Sequence, residues 1–330
     1  MALPNATTKR PSMARKTVAL PNQPTLHSFL ALLPPAPFSL ANYMDTWGHE
    51  MDTIDTSKTL QLLLQNPNGI QPDRKDYEFL YCLSQCRSLG IGVQSLVETK
   101  LNWNKNTSFS ARRAFQRTWE FSSLAPSQVD ENFVSHQQPG GTLTAVIDRW
   151  TSRVHSKGQD PYGLGCWSYI TLRGKQDTLI TIVSAYRVSQ KSSTSLGIKT
   201  AYMQQYRSLQ SHFLKSKKLQ TPEPNRQFII DLQAWLQHLQ SQGHQLILNL
   251  DNNDDLYISE GSIHPLPYNP DSPVSDKSHN GSPQTLALTC GLIDILAIQH
   301  SKQPFPPMYN RGKKRIDYIL ISATLQDSVE

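Results

Sequence analysis

A set of polar residues stands at or just past the ends of short apolar runs, and their types suit phosphate and hard-metal chemistry. They are Asn66 and Asn68 in QNPNGI, Glu98 in ETKLNW, Tyr186 in VSAY, Asp251 and Asn253 in LDNND, and Asp317 in RIDYIL. Glu98 and Asp251 are the informative pair. A hard divalent cation such as Mg²⁺ takes carboxylate oxygens, typically one or two, and completes its shell with water and phosphate. Asparagine amides add neutral hydrogen bonds to phosphate oxygens. Each residue alone has a structural explanation: Asn-Pro-Asn-Gly is turn chemistry, Glu98 can open a loop, and Asp251-Asn252-Asn253-Asp254 can cap a turn. The set acquires chemical meaning only if the fold brings it together, and polar groups at strand ends do converge at one sheet edge even when far apart in sequence.

The elements that must position them are legible from Leu60 onward, where short apolar runs alternate with amphipathic stretches in the manner of strands covered by helices. LQLLLQN and VQSLVET read as strands, separated by a helix from Asp73 to Leu89 that Gly90 ends. LTAVID, CWSYITLR and LITIVSAY are three more strands by their β-branched and aromatic content, with RGKQD turning between the last two. Helices follow from Thr200 to Leu214 and from Arg226 to Gln242, the second with Phe228, Ile229, Leu232, Trp235, Leu236 and Leu239 on one face. LILNL, LIDILAI and RIDYILIS are the remaining strand candidates. The hairpin-like centre favours adjacent antiparallel strands over parallel βαβ winding. One two-sheet α/β domain fits this order, spanning 58–330. Residues 1–57, rich in Pro, Ser, Thr and Asn, read as a flexible leader. The Pro/Asp/Ser/Asn-rich segment from Asn252 to Pro283 has the length of a functional or mobile loop.

Composition narrows the class. At 330 residues and 38% hydrophobic the chain has ample material for a core without staples. Its four cysteines, Cys82, Cys86, Cys166 and Cys290, are scattered and read as free buried thiols of a reducing compartment. No apolar run approaches the ~18 residues of a membrane span, and the first residues lack the apolar core of a signal peptide. An intracellular protein, nuclear or cytoplasmic and without a membrane partner, is expected; the sequence says nothing of oligomeric state. The basic residues Lys9, Arg10, Arg15 and Lys16 fit a solvated tail. The formal charge of +6 and pI near 9.0 favour a polyanionic partner without requiring one. Lys100, Trp103, Lys105, Arg112, Arg113 and Arg117 combine cations with a ring able to stack on a base, or form a solvated basic helix with Trp103 beneath it. Lys215, Lys217 and Lys218, and Arg311, Lys313, Lys314 and Arg315, would extend such a footprint if they face the same way.

The order QNPNGI, ETKLNW, PGGTLTAVI, VSAY, LDNND, RIDYILIS resembles the endonuclease/exonuclease/phosphatase superfamily. The likeness is greatest to the endonuclease domains of non-LTR retrotransposons and to abasic-site endonucleases, and it covers roughly 60–330. It implies a four-layer α/β sandwich, two mixed and mainly antiparallel sheets packed face to face with helices outside. Carried over position by position, it implies that Asn66 lies near metal and phosphate, with Asn68 two places on, and that Glu98 binds the metal. Tyr186 would hydrogen-bond the scissile phosphate, Asp251 would position the attacking water or leaving group with Asn253 as its partner, and Asp317 would orient a histidine. Leu250 stands where the family usually has Gly, and Val188 and Ser189 replace its usual Pro and Asn. The family's terminal Ser-Asp-His element should follow Asp317 after one more strand. No histidine follows His300, so the domain is expected to be truncated before that element, and none of His264, His279 and His300 is assigned a catalytic role.

The function so implied is Mg²⁺-dependent phosphodiester hydrolysis, with Mn²⁺ as a substitute, by a retrotransposon-type endonuclease whose partner is nucleic acid, DNA foremost. Two alternatives stay open: a phosphatase of the same superfamily acting on inositol phosphates or nucleotides, and a catalytically dead remnant that binds nucleic acid through its basic surface.

Overall fold

Strand alternation sorts the side chains of this chain into layers. The computed structural model describes residues 58–70, 76–104, 107–128, 138–189, 200–217, 221–254, 256, 283–299 and 315–329. The expected leader, most of the expected 252–283 loop, and His264, His279 and His300 lie outside these residues. Among the described residues the first sheet contains β1 (Gln61–Gln65), β2 (Ile91–Val97), β3 (Ser122–Pro126) and β4 (Thr142–Ile147) in the order β1-β2-β4-β3. The second contains β5 (Val154–Gln159), β6 (Trp167–Arg173), β7 (Leu179–Tyr186), β8 (His244–Asp251), β9 (Leu292–Asp294) and β10 (Asp317–Ser322) in the order β5-β6-β7-β8-β10-β9. β1 with β2 and β7 with β8 run parallel; the remaining pairs are antiparallel.

Helices cover both outer faces. α1 (Asp76–Ser88) and α2 (Thr107–Thr118) bury Leu83, Cys86, Ala111, Ala114 and Phe115 with Leu96, Leu143, Ala145 and Ile147 of the first sheet. On the second sheet, α3 (Ala201–Lys215), α4 (Pro224–Ser241) and α5 (Pro283–Thr289) bury Leu209, Phe213, Phe228, Leu232, Leu236 and Leu286. They pack on Trp167, Val183, Ala185 and Leu248. The four-layer sandwich expected from the sequence is therefore present.

The inward faces of the two sheets change character along their length. At one end Val93, Val146, Ile170, Leu172 and Ile182 form an apolar core, with Ile180 and Ile247 against it. One or two pleats further, the same strands present hydroxyls and amides. Thr144 Oγ1 lies 2.7 Å from Ser184 Oγ, Thr142 Oγ1 donates to Ser168 Oγ at 2.9 Å, and Asn249 Nδ2 donates to Ser95 Oγ at 2.8 Å. Buried polar groups are tolerable only when paired, and paired ones fix register and distance more sharply than aliphatic contacts.

Two expectations need correction. LIDILAI is a strand only over Leu292–Asp294; from Ile295 to Gln299 it is a short helix, α6. Asp294 causes the switch: its carboxylate grips Arg315 at 2.6 and 3.0 Å while its Oδ1 accepts the Ala297 N–H at 3.4 Å, beginning the helix as an N-cap does. β3 and β5 were not foreseen. β5 is an edge strand with His155, Ser156 and Lys157 exposed, so it lacks an apolar pattern. The thiols conform to expectation: Cys86, Cys166 and Cys290 are buried and Cys82 half-buried, all unpaired.

Gly92 in β2 has no room for a side chain. A Cβ there would stand 2.6 Å from Trp150 Cδ1 and 2.8 Å from Leu60 Cδ1. The Trp150 ring is flanked by the Arg149 and Arg153 guanidiniums at 4.7 and 5.9 Å, which hinder it from yielding. Gly92→Ala should cost about 1–3 kcal/mol, the usual penalty of overpacking. The expected reading is a lower urea midpoint with an unchanged slope; an unshifted midpoint would show that the indole moves aside freely.

Candidate active site at the sheet edge

The parallel register of β1 and β2 pairs Gln65 with Leu96, so Asn66 and Glu98 leave the first sheet at the same edge. In the second sheet Tyr186 pairs directly with Asp251, and Asp251 with Asp317. The inward polarity of the sandwich thus ends in a cluster drawn from both sheets. Asn66 is its link: Nδ2 donates to Asp251 Oδ2 at 2.8 Å and to Glu98 Oε2 at 3.2 Å. The Tyr186 hydroxyl donates to the other Glu98 oxygen at 3.4 Å. The Asn253 backbone N–H donates to Asp251 Oδ1 at 3.1 Å, and its side-chain amide donates to the Arg187 carbonyl at 2.7 Å.

The structure brings Asn66, Glu98, Tyr186, Asp251, Asn253 and Asp317 to one edge. Asn68 stands to one side: its N–H donates to Asn66 Oδ1 at 2.8 Å, while its own oxygens face the ammonium of Lys100. Sequence reasoning missed Arg187, which is buried beneath the Asn252–Asp254 turn, donating to the Asn252 carbonyl at 3.4 Å and lying 3.7 Å from Asp254. No periodic signal distinguishes a buried arginine after a strand from an exposed one.

Of the two readings for Trp103 the structure takes the one with the ring beneath the basic helix, and Arg315 is not at the surface. Trp103 is 3% exposed and packs in the core beneath α2, with Arg112 over its ring at 5.3 Å. Arg315 is 4% exposed, paired with Asp294 and stacked at 4.5 Å on Tyr318. A linear run of cations does not reveal the burial of Arg315. Lys215 and Lys217 fall at the end of α3 remote from Ala201, which packs beside Tyr186. At 1.5 Å per residue the helix carries them roughly 20 Å from Ala201. Lys105, Lys218, Arg311, Lys313 and Lys314 lie outside the described residues.

Backbone strain gathers at the same edge. Asn68, Glu98, Lys100 and Asn253 all have φ between +50° and +55°, a region L-residues enter at a cost and that clusters at functional sites. The adjoining Gly140 supplies its carbonyl to Lys100 N–H at 2.7 Å, and a Cβ on it would reach Tyr186 Cε1 at 3.0 Å.

The electrostatics follow from burial. Asp251 is fully buried, which raises its pKa to about 7; the neighbouring Asp317 carboxylate pushes it further in the same direction, and the Asn253 N–H opposes. Burial likewise raises Asp317, opposed by Arg315. Tyr186 is driven up by burial and then by Glu98 and Asp251, so it stays a hydrogen-bond donor. Asp317 Oδ1 has no hydrogen-bond partner among the described residues.

Among the described residues no group of three or more His, Cys, Asp or Glu side chains gathers as a metal cage. Mg²⁺ does not need one. The Glu98 carboxylate offers the oxygens that Mg²⁺ takes, one carboxylate sufficing where water completes the shell. The Lys100 ammonium 3.6 Å from Glu98 Oε1 shows that a cation is accommodated there. The donor set fits the ion.

No family model matches the chain, and no curated protein matches it in sequence. Solved structures do. An AP endonuclease from Leishmania major aligns with a TM-score of 0.55 at 14% identity over 84% of each chain. An AP endonuclease from Archaeoglobus fulgidus aligns at 0.46 and 15% identity, over 82% of this chain and 89% of that one. The endonuclease domain of TRAS1, a telomere-specific non-LTR retrotransposon, aligns at 0.43 and 12% identity, over 82% and 88%. The fold of this chain is that of the Leishmania major AP endonuclease, the four-layer sandwich its motif order led us to expect.

A buried carboxyl whose folded pKa exceeds its unfolded value favours folding only while it keeps its proton. Its contribution is complete below about pH 4 and is lost as pH rises through about 7. Asp251→Asn should therefore raise Tm in EDTA at pH 8, by several degrees, and the gain should shrink towards pH 5. An equal Tm difference at both pH values would contradict the assigned cause.

Proposed function

We propose that this chain is a Mg²⁺-dependent phosphodiester hydrolase acting on nucleic acid, with DNA as its substrate, of the retrotransposon endonuclease kind. The observation that carries the reading is the single cluster in which Asn66 joins Glu98 and Asp251 across the two sheets. The motif order and the basic balance of the chain support the choice of nucleic acid over a small phosphoester.

Glu98 would hold the metal, leaving Asp251 beside it to act on water. When bound, the ion supplies charge neutralisation at a phosphate oxygen, which phosphodiester hydrolysis demands because its uncatalysed rate is so low. Asp251 has the position and the near-neutral pKa of a general base, so it orients a water and accepts its proton. Tyr186 keeps its proton and presents it to a non-bridging oxygen. The amide of Asn253 adds a neutral donor, and its left-handed backbone places it before substrate arrives, while Asn66 aligns Glu98 and Asp251. Asp317, paired with Asp251 across β8 and β10, pushes the Asp251 pKa upward.

The purified chain is expected to nick supercoiled plasmid with Mg²⁺ and to stop on addition of EDTA. Glu98→Ala and Asp251→Ala should each lower the rate by about 10²-fold or more, the scale of losing one preorganised electrostatic group. Undiminished nicking by either variant would remove that residue from the site. Phosphate release from inositol phosphates or nucleotides without nicking would move the substrate to small phosphoesters.

A further inference from the structure

Lys100 follows a path that the backbone has been shaped to give it. Its stem lies across Gly69, where a Cβ would meet Lys100 Cδ at 3.1 Å and Cβ at 3.6 Å; Gly69 itself has φ +105°. Lys100 also sits in a left-handed conformation, fixed by the 2.7 Å hydrogen bond from its N–H to the Gly140 carbonyl. The stem delivers the ammonium to a set of oxygens: Glu98 Oε1 at 3.6 Å, the Asn68 carbonyl at 3.4 Å, and Asn68 Oδ1. Carboxylate, backbone carbonyl and side-chain amide oxygens are the donors a hard divalent cation takes.

A surface ion pair needs none of this. Long lysine stems usually range through solvent, and exposed pairs return little for the entropy of ordering them. Here two left-handed residues and a glycine contact hold one lysine against the carboxylate that would carry the metal. Two cations cannot share that carboxylate at full strength, because their repulsion acts over a few ångströms in a partly desolvated site.

We propose that Lys100 is a resident cation of the Glu98 corner: its ammonium neutralises Glu98 and keeps it aimed while no metal is bound, and a divalent ion must displace it to bind. The inference rests on the reading of Glu98 as the metal carboxylate. The displaced ammonium, 37% exposed on its side chain, is then released towards solvent and a phosphate-bearing ligand. Lys100 is thus a positioning residue that sets the metal concentration the site requires.

Direct Mn²⁺ binding tests this without turnover, by the electron paramagnetic resonance signal of the free ion in titrations of the full chain. Lys100→Met and Lys100→Gln should each bind Mn²⁺ at least about fivefold more tightly than the unaltered protein, as expected for removing one like charge at close range. Lys100→Arg should bind no more tightly than the parent. The metal-induced rise in Tm should be larger in Lys100→Met and Lys100→Gln, which also reports whether both are folded. Unchanged or weaker Mn²⁺ binding in both variants overturns the proposal. If that binding is nevertheless abolished by Glu98→Gln, only the role of Lys100 falls. If Glu98→Gln leaves Mn²⁺ binding intact, the metal site under Proposed function falls as well.

Discussion

A single amide holds the two halves of this site at their working distance. Asn66 belongs to the first sheet and Asp251 to the second, and the two N–H bonds of one side chain satisfy Asp251 and Glu98 together. Without a donor between them, two carboxylates brought together in a buried environment repel each other and lose hydration, so the sheets would close on an uncompensated charge. With the amide in place, the spacing of the sheets at that edge is set by hydrogen-bond length. The same closure forces Asp251 into full burial, and from burial comes its near-neutral pKa. Packing distance and basicity are two results of one contact.

The rest of the sandwich prepares that closure. Along each inward strand face, aliphatic residues give way to hydroxyls and amides and then to the clustered polar groups: Ile182, Ser184, Tyr186 on β7, and Ile247, Asn249, Asp251 on β8. An aliphatic interface at the reactive edge would tolerate small slides; a ladder of paired hydroxyls does not. The left-handed residues at Asn68, Glu98 and Asn253 represent strain that this rigid seam underwrites. Preorganisation here is a property of the interface, expressed at its end.

Much of this was readable in the sequence, for a physical reason. β7 occupies the expected LITIVSAY span, β8 contains the expected LILNL, and β10 covers RIDYILIS from Asp317 onward, because buried central strands are written in apolar residues. The candidate residues were legible because strand ends are, and six of them reach the same edge. What stayed hidden depends on partners distant in sequence. β5 is polar because it is an edge; Arg315 reads as surface because its covering partner, Asp294, lies elsewhere in the chain, while Trp103 takes the place beneath the basic helix that the sequence held open. The break in LIDILAI needs knowledge that Asp294 is held by Arg315. Arg187 and the resident position of Lys100 are tertiary facts, invisible to spacing.

Asn66 and Asp251 are separated by 185 positions, and Tyr186 and Glu98 by 88. Contacts of that separation form slowly, since loop closure must precede any reward from them. During synthesis the first sheet can pair while its Asn66 and Glu98 face only water, and the opposing carboxylates arrive with β8 and β10, long afterwards. A growing polypeptide therefore carries no assembled cluster until both β8 and β10 have left the ribosome.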